Sequence, residues 1–394
     1  MTAGAPSGLR PDGCGPLNLR QPATGGIRGA PVRVRLKATL GFTVVPMKAT
    51  PRLRGAAAAA LALTLLATIT SCTTTLTPAV SNSTPSPSVS AEPAPPKPQF
   101  DLAPLRGTTV AAGSLTHASI AAKIDNHPNA RPQVGLERTD IVFEELVEGG
   151  MTRYIGMWHS DIPDLLGPVR SIRPMDPEII SAFGGIIAYS GGQEQFVNLM
   201  RQAPVYNAIH GQADTASTFF RGTQARAPHN VMVKAKELLA QHTDLRAPAQ
   251  QFNFASTIPL ASAPMEGSPQ RVVSYRFSTA MAGSWTWDAG TTRYLREQGR
   301  GPDLDTNRAQ LAATNVVVLR VAVTNGLGVP KTELIGTGEA WVSTGGSTVR
   351  ATWTKASATG PIKLVSEGGF TTRLAAGNTW VEMIPLEGSV AFTP

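Results

Sequence analysis

The chain has 394 residues, enough for one large domain or two ordinary ones. Its formal charge of +8 and its pI near 9.8 come from the front: nine of the 35 Lys and Arg, but only Asp12 of the 27 acids, precede Cys72, which leaves 26 of each sign behind. A neutral body removes the case for a nucleic-acid partner, and with only Cys14 and Cys72 present, disulfides, Cys-based metal sites and a thiol nucleophile are excluded there.

Residues 1–46 are rich in Gly, Pro and Arg and show little hydrophobic periodicity. They read as an over-extended start or a disordered extension, with Met47 as the effective first residue. From Met47 the chain runs "MKATPRLRGAAAAALALTLLATITSC". Lys48, Arg52 and Arg54 form a positive segment, and Gly55 to Ile69 an apolar run. That run is shorter than the roughly twenty residues a membrane-spanning helix needs. Residues 47–71 therefore predict a secretory signal peptide. Ile69-Thr70-Ser71-Cys72 resembles the bacterial lipobox, in which the cysteine is lipidated and becomes the mature N-terminus. Residues 72–99 are dominated by Ser, Thr, Pro and Ala. They cannot bury apolar area and predict a disordered tether.

Order is expected from about Phe100. "SIAAKIDN" (119–126) predicts a strand ending in a polar turn. "GLERTDIVFEELVEGG" (135–150) fits either a strand or a helix. "MTRYIGMWHS" (151–160) predicts a strand, "PEIISAF" a helix with proline at a favoured first position, "GGIIAYSGG" a buried strand and "QEQFVNLMRQ" a helix. "APHNVMVKAKELLAQH" predicts a helix from about Val231. This alternation over 100–245 implies an α/β layered domain with a mixed sheet. Residues 246–270 read as a linker. Beyond it, "RVVSYRFS", "GSWTWDAGTTRYLRE", "TNVVVLRVAV", "TGEAWVSTGG", "STVRATWTKA", "PIKLVSEGG" and "NTWVEMIP" predict successive strands. Residues 271–394 should thus form a mainly antiparallel β domain, a twisted meander or a small barrel. The overall class is α+β (mixed), and a sheet shared by the halves stays open.

The stretch "KIDNHPNARPQVGLERTDIVFEELVEGGMTRYIGMW…GPVRSIRPMD" resembles the YerB-like lipoproteins, which carry domain of unknown function 3048. The likeness runs through "APHNV" and resumes at "TNVVVL", "ATWTK" and "GNTWVEMIP". It implies a bacterial envelope lipoprotein with an N-terminal mixed part and a C-terminal β part. It implies no particular chemistry.

The densest polar group lies in the first half. Asp140, Glu144, Glu145 and Glu148 fall close together. Arg153 follows a double glycine, and Arg170, Arg173 and Asp176 lie in "GPVRSIRPMD". Arg221, Arg226, His229 and Asn230 lie in "FFRGTQARAPHN". In a helix Asp140, Glu144 and Glu148 would share a face; in a strand Glu144 and Glu145 would point apart. One reading is a cleft in which Arg153, Arg170, Arg173, Asp176, Arg226 and Asn230 hold an anionic ligand. Glu144 or Glu148 would then be a base and His229 a proton shuttle. The competing reading is a structural network of arginines and carboxylates. No cofactor is expected. His127, His159 and His229 are too widely spaced for a short metal motif, so no metal site is expected. Ser190 in "AYSGGQ" lacks the surrounding pattern of a nucleophile elbow and reads as a strand-end turn. Trp285, Trp287, Trp341, Trp353 and Trp380 read first as core and second as a sugar-stacking row.

These readings combine into a lipoprotein anchored to the membrane through Cys72, on the extracytoplasmic face of a bacterial cell. It would act as a binding protein for an envelope protein or a cell-wall glycan. The alternative is a hydrolase or transferase acting on a wall polymer.

Overall fold

One large sheet of 11 strands sets the frame. The computed structural model describes residues 99–394. The signal segment, the Cys72 lipobox and nearly all of the tether lie outside the described residues.

The first half supplies β1 (Ile120–Asp125), β2 (Ile141–Leu146), β3 (Thr152–Trp158), α1 (Asp176–Ile180), β4 (Ile186–Tyr189), α2 (Glu194–Arg201), β5 (Tyr206–Ile209) and α3 (Ala235–Ala240). The second half supplies β6 (Val272–Arg276), β7 (Ala282–Asp288), β8 (Arg293–Gln298), β9 (Asn315–Val321), β10 (Gly336–Thr344), β11 (Ser347–Lys355), β12 (Lys363–Ser366), β13 (Thr379–Pro385) and β14 (Ser389–Thr393).

The large sheet has 11 strands in the order Ser268–Pro269, β11, β10, β9, β13, β2, β3, β1, β4, β5, with β12 beside β11. The two halves of the chain meet at β13 and β2, which run parallel with Thr379 opposite Ile141 and Glu382 opposite Glu144. A second sheet of six strands carries β8, β7, β6 and β14 in that order. The result is a mixed, β-rich fold.

Both faces of the large sheet are covered, which explains strands that are buried at every position. On one face Ile179 and Ile180 of α1 and Phe196 and Met200 of α2 pack over Phe143, Ile155 and Val381. On the other, Val273, Trp285 and Tyr294 of the second sheet pack over Val142, Tyr154 and Trp380. The ambiguous segment 135–150 is a strand because Ile141 and Phe143 feed the first core and Val142 the second. A helix could not divide consecutive side chains between two layers in this way.

Two expectations are corrected. The helix expected from about Val231 begins at Ala235. Val231–Lys234 is a strand between Phe219–Arg221 and Leu165–Leu166, where its β-branched Val231 and Val233 enter the second core. The second half is neither a single meander nor a barrel. β6, β7 and β8 do form an antiparallel meander, but β9 runs parallel to β13, and the strands of this half divide between two sheets. The apolar run "NVVVL" needs cover on both faces, and only the interior of a layered sheet provides it.

Candidate arginine crevice at the carboxyl ends of the strands

β1, β4 and β5 run parallel. Direct pairing of β1 with β4 stops at Ala122 and Ala188. Beyond that point the segment from Val169 to Ile172 enters between them. Arg170 N–H donates to Lys123 O (2.7 Å), Ser190 N–H to Arg170 O (3.0 Å) and Ile172 N–H to Gly191 O (3.1 Å). The strands are thus held apart at their carboxyl ends, where open sheets with parallel strands commonly bind ligands. Ser190 sits here as a strand-end residue.

On the helix-covered face, fully buried Lys123 pairs with Glu145 and, at 2.8 Å, with Asp176. Burial pulls the Lys123 amine down to about 8, against the attraction of Asp176. Asp176 also accepts the Arg173 backbone N–H at 2.7 Å. The Arg173 guanidinium donates to Glu148 (2.7 Å) and to the Ile172 carbonyl (2.8 Å). Burial works to raise the Glu148 carboxyl, but the bond from Arg173, a backbone N–H and the charges of Arg173 and Arg153 together outweigh it and leave Glu148 below the usual carboxylate range. Half-buried Arg153 differs. It donates to the Ser171 carbonyl at 2.6 Å and, among the described residues, forms no ion pair. Burial, then the nearby charges of Arg173 and Arg170, pull its guanidinium down to about 10.

Next to this group Asp125, at the end of β1, makes one ion pair and two hydrogen bonds. Arg170 Nε lies 3.2 Å away, His229 Nδ1 2.7 Å and the His127 backbone N–H 3.1 Å. The His127 and His229 rings stack at 4.4 Å. A neutral His229 donating from Nδ1 carries its lone pair on Nε2. His229 and Asn230 line a pocket of about 270 Å³ together with Arg131, Gln224 and Thr306. Asn230 is positioned by the Gly222 carbonyl (3.0 Å) and by Arg221 (2.9 Å).

The structure thus brings Arg153, Arg170, Arg173, Asp176, Glu148 and His229 to one end of the sheet, with Asn230 on the rim. Arg226 is exposed in the same loop. Glu144 lies apart, on the opposite face. It accepts from Arg296 (2.5 Å), Thr152 (2.6 Å) and Asn126 (3.3 Å), and Arg296 also holds Asp303. Arg296 is fully buried with Trp380 4.8 Å and Tyr154 5.4 Å from its guanidinium carbon. Beside it, Glu382 accepts from the Trp285 indole at 2.8 Å. Burial and then the Glu144 charge hold the Glu382 carboxyl well above its ordinary range. Enclosed in this way, Glu144 has no route to a ligand. Asp140, at the far end of β2, accepts the His159 and Ser160 backbone N–H groups, each at 2.8 Å.

Sequence reasoning missed Lys123, Asp125, Arg296, Asp303 and Glu382. A signal existed for three of them. Arg296 shares a strand face with Tyr294, Glu382 with Trp380, and Lys123 with Ala121. A charge on an otherwise apolar face announces a buried partner.

A layered, β-rich protein with a polar crevice at its strand ends defines a class but no reaction. Residues 105–248 match the N-terminal domain, and residues 273–381 the C-terminal domain, of a protein family of unknown function, DUF3048. The chain belongs to this YerB-like family. It is 32% identical over 128 residues to YerB of Bacillus subtilis (strain 168), a protein named as a candidate lipoprotein. The aligned stretch covers 32% of this chain and 38% of that protein, well under half of its length. The crystal structure of the YerB protein from Bacillus subtilis superposes with a TM-score of 0.63 at 21% identity, covering 74% of this chain and 99% of that one. That likeness supports the fold.

Proposed function

We propose that the protein is an extracytoplasmic lipoprotein, held to the bacterial membrane through Cys72, that binds an anionic group of an envelope partner at the arginine crevice. The signal-like segment before Cys72 and the name of the Bacillus relative support the anchor. One observation carries the ligand reading: Arg153, half-buried between Arg170 and Arg173, has its fork committed to one carbonyl and to no carboxylate. Arg170 and Arg173 have acidic partners, so among these three guanidiniums Arg153 is the one without a carboxylate of its own. A phosphate or carboxylate placed there would accept bidentate bonds in a partly dry site.

The test is a thermal-shift assay of the mature chain with phosphate-bearing and carboxylate-bearing wall fragments. Wild type should gain several degrees at large excess over Kd, less so at high salt, and Arg153→Gln should gain nothing. No shift with either fragment class overturns the ligand reading. The anchor is tested separately: Cys72→Ser should move the protein from the membrane to the soluble fraction, and retention on membranes after high-salt washing overturns it.

A second reading rests on the His229–Asp125 pair. Asp125 fixes the imidazole so that Nε2 is free to take a proton, as in a general base. In a hydrolase or transferase acting on a wall polymer, His229 would fill that role in place of Glu144. Loss of turnover in His229→Gln, with binding retained, would separate this reading from simple binding.

A further inference from the structure

A second concave site lies away from the crevice, at the open edge between the two sheets. Its volume is about 480 Å³, within the range of small-molecule pockets, roughly 300–1,000 Å³. Trp341 of β10 and Phe392 of β14 line it side by side, their rings packed together with centroids 5.4 Å apart. Phe370, in the turn after β12, borders the same space and is 67% exposed. Trp158, Trp285, Trp287, Trp353 and Trp380 are buried, so among the described residues Trp341 is the tryptophan that reaches a surface cavity.

Polar groups alternate with these rings. Glu266 accepts from the Ser366 hydroxyl at 2.7 Å, and Glu367 accepts from Arg350 at 2.8 Å. Arg350 is shared with Glu339. Gln270 lines the pocket, and its side-chain oxygen is buried without a hydrogen-bond partner. Such an acceptor costs stability unless a ligand or water donates to it.

We infer that this groove binds a glycan strand of uncharged, N-acetylated sugars. The physical match is specific. A pyranose ring presents an apolar C–H face to an aromatic ring and hydroxyls around its rim. Trp341, Phe370 and Phe392 supply the aromatic faces. Gln270 and the carboxylates of Glu266 and Glu367 accept from hydroxyl and amide N–H groups, and Arg350 donates. Arg350 is shared by Glu339 and Glu367, and Glu266 adds a third carboxylate to the lining, which leaves the surroundings net negative. That disfavours the anionic groups suited to the arginine crevice. An opening along the sheet edge also admits a chain rather than a single enclosed sugar. The inference extends the envelope-binding reading but does not depend on the arginines.

The test uses a β-1,4-linked N-acetylglucosamine tetramer as probe and the intrinsic fluorescence of the mature chain as readout. Wild type should show a saturable emission change. Gln270→Ala and Phe370→Ala should each weaken binding about tenfold or more, because each removes a principal contact. Phe370 is exposed, so its loss should leave the fold intact, which circular dichroism checks. Arg153→Gln should bind the tetramer as wild type does, which separates failure of the arginine reading from failure of this one. No saturable binding of the tetramer by fluorescence and by saturation-transfer NMR overturns the inference, as does unchanged affinity in both groove variants.

Discussion

Glu382 is a carboxylic acid whose burial, with the Glu144 charge beside it, favours the protonated form. It faces Glu144 across two parallel strands, and the single cation between them, Arg296, is already divided between Glu144 and Asp303. Its pKa is raised, so the folded state holds a proton that the unfolded chain releases above about pH 4.5. By linkage, this group's stabilisation is complete below that pH and is lost as pH rises toward the folded value, at up to about 1.4 kcal/mol per unit. Glu382→Gln keeps an acceptor for Trp285 and offers a donor to Glu144. The variant should therefore match wild type near pH 4 and exceed it in urea midpoint at pH 7. A wild-type advantage that widens with pH would contradict this. At this scale the sequence revealed the charged residues but not their pairings. Glu144 and Glu145 are adjacent, yet the pleat sends one to Arg296 and the other to Lys123. Lys123 lies 22 residues from Glu145, but Arg296 lies 152 residues from Glu144, on a strand of the other half.

The entry to β4 is fixed by backbone proximity. Gly185 has φ +74, and a Cβ there would stand 2.4 Å from the Ser119 carbonyl oxygen. The parallel register of β4 on β1, and with it the wedge that carries Arg170, relies on that approach. Gly185→Ala should cost about 2 kcal/mol or more, seen as a lower thermal midpoint, and it should also weaken any ligand response at the crevice. An alanine variant as stable as wild type would show that the register tolerates a shift. Most elements were legible, because period-two alternation and bounding glycines mark β3, β4, β6 and β7 directly. The strand at Val231–Lys234 was not. It runs into α3 without a break, and only its two neighbours, Phe219–Arg221 and Leu165–Leu166, decide its form.

The whole molecule turns on the seam between β2 and β13. Both segments that define the family contribute to one sheet, and neither can bury the faces of its inner strands without the other. Unfolding of residues 100–394 should therefore be a single transition, with tryptophan fluorescence and far-ultraviolet circular dichroism coinciding in urea. Two resolved transitions would mean that the halves are energetically separate. The shift in texture near residue 246 is plain in the sequence. The seam is not, because no local pattern records which strand will lie beside a continuous apolar run.

The seam also sets an order of events during synthesis. β2 emerges early, while its partner β13 lies almost at the other end of the chain. Until Thr379–Pro385 arrives, one edge of β2 presents free amides and carbonyls between two unfinished cores. Such an edge is a template for pairing with other chains, and contacts this distant in sequence close slowly. The nascent protein thus carries its greatest aggregation hazard until more than two hundred residues beyond β2 have been made, and the strand next before β14 is the one that removes it.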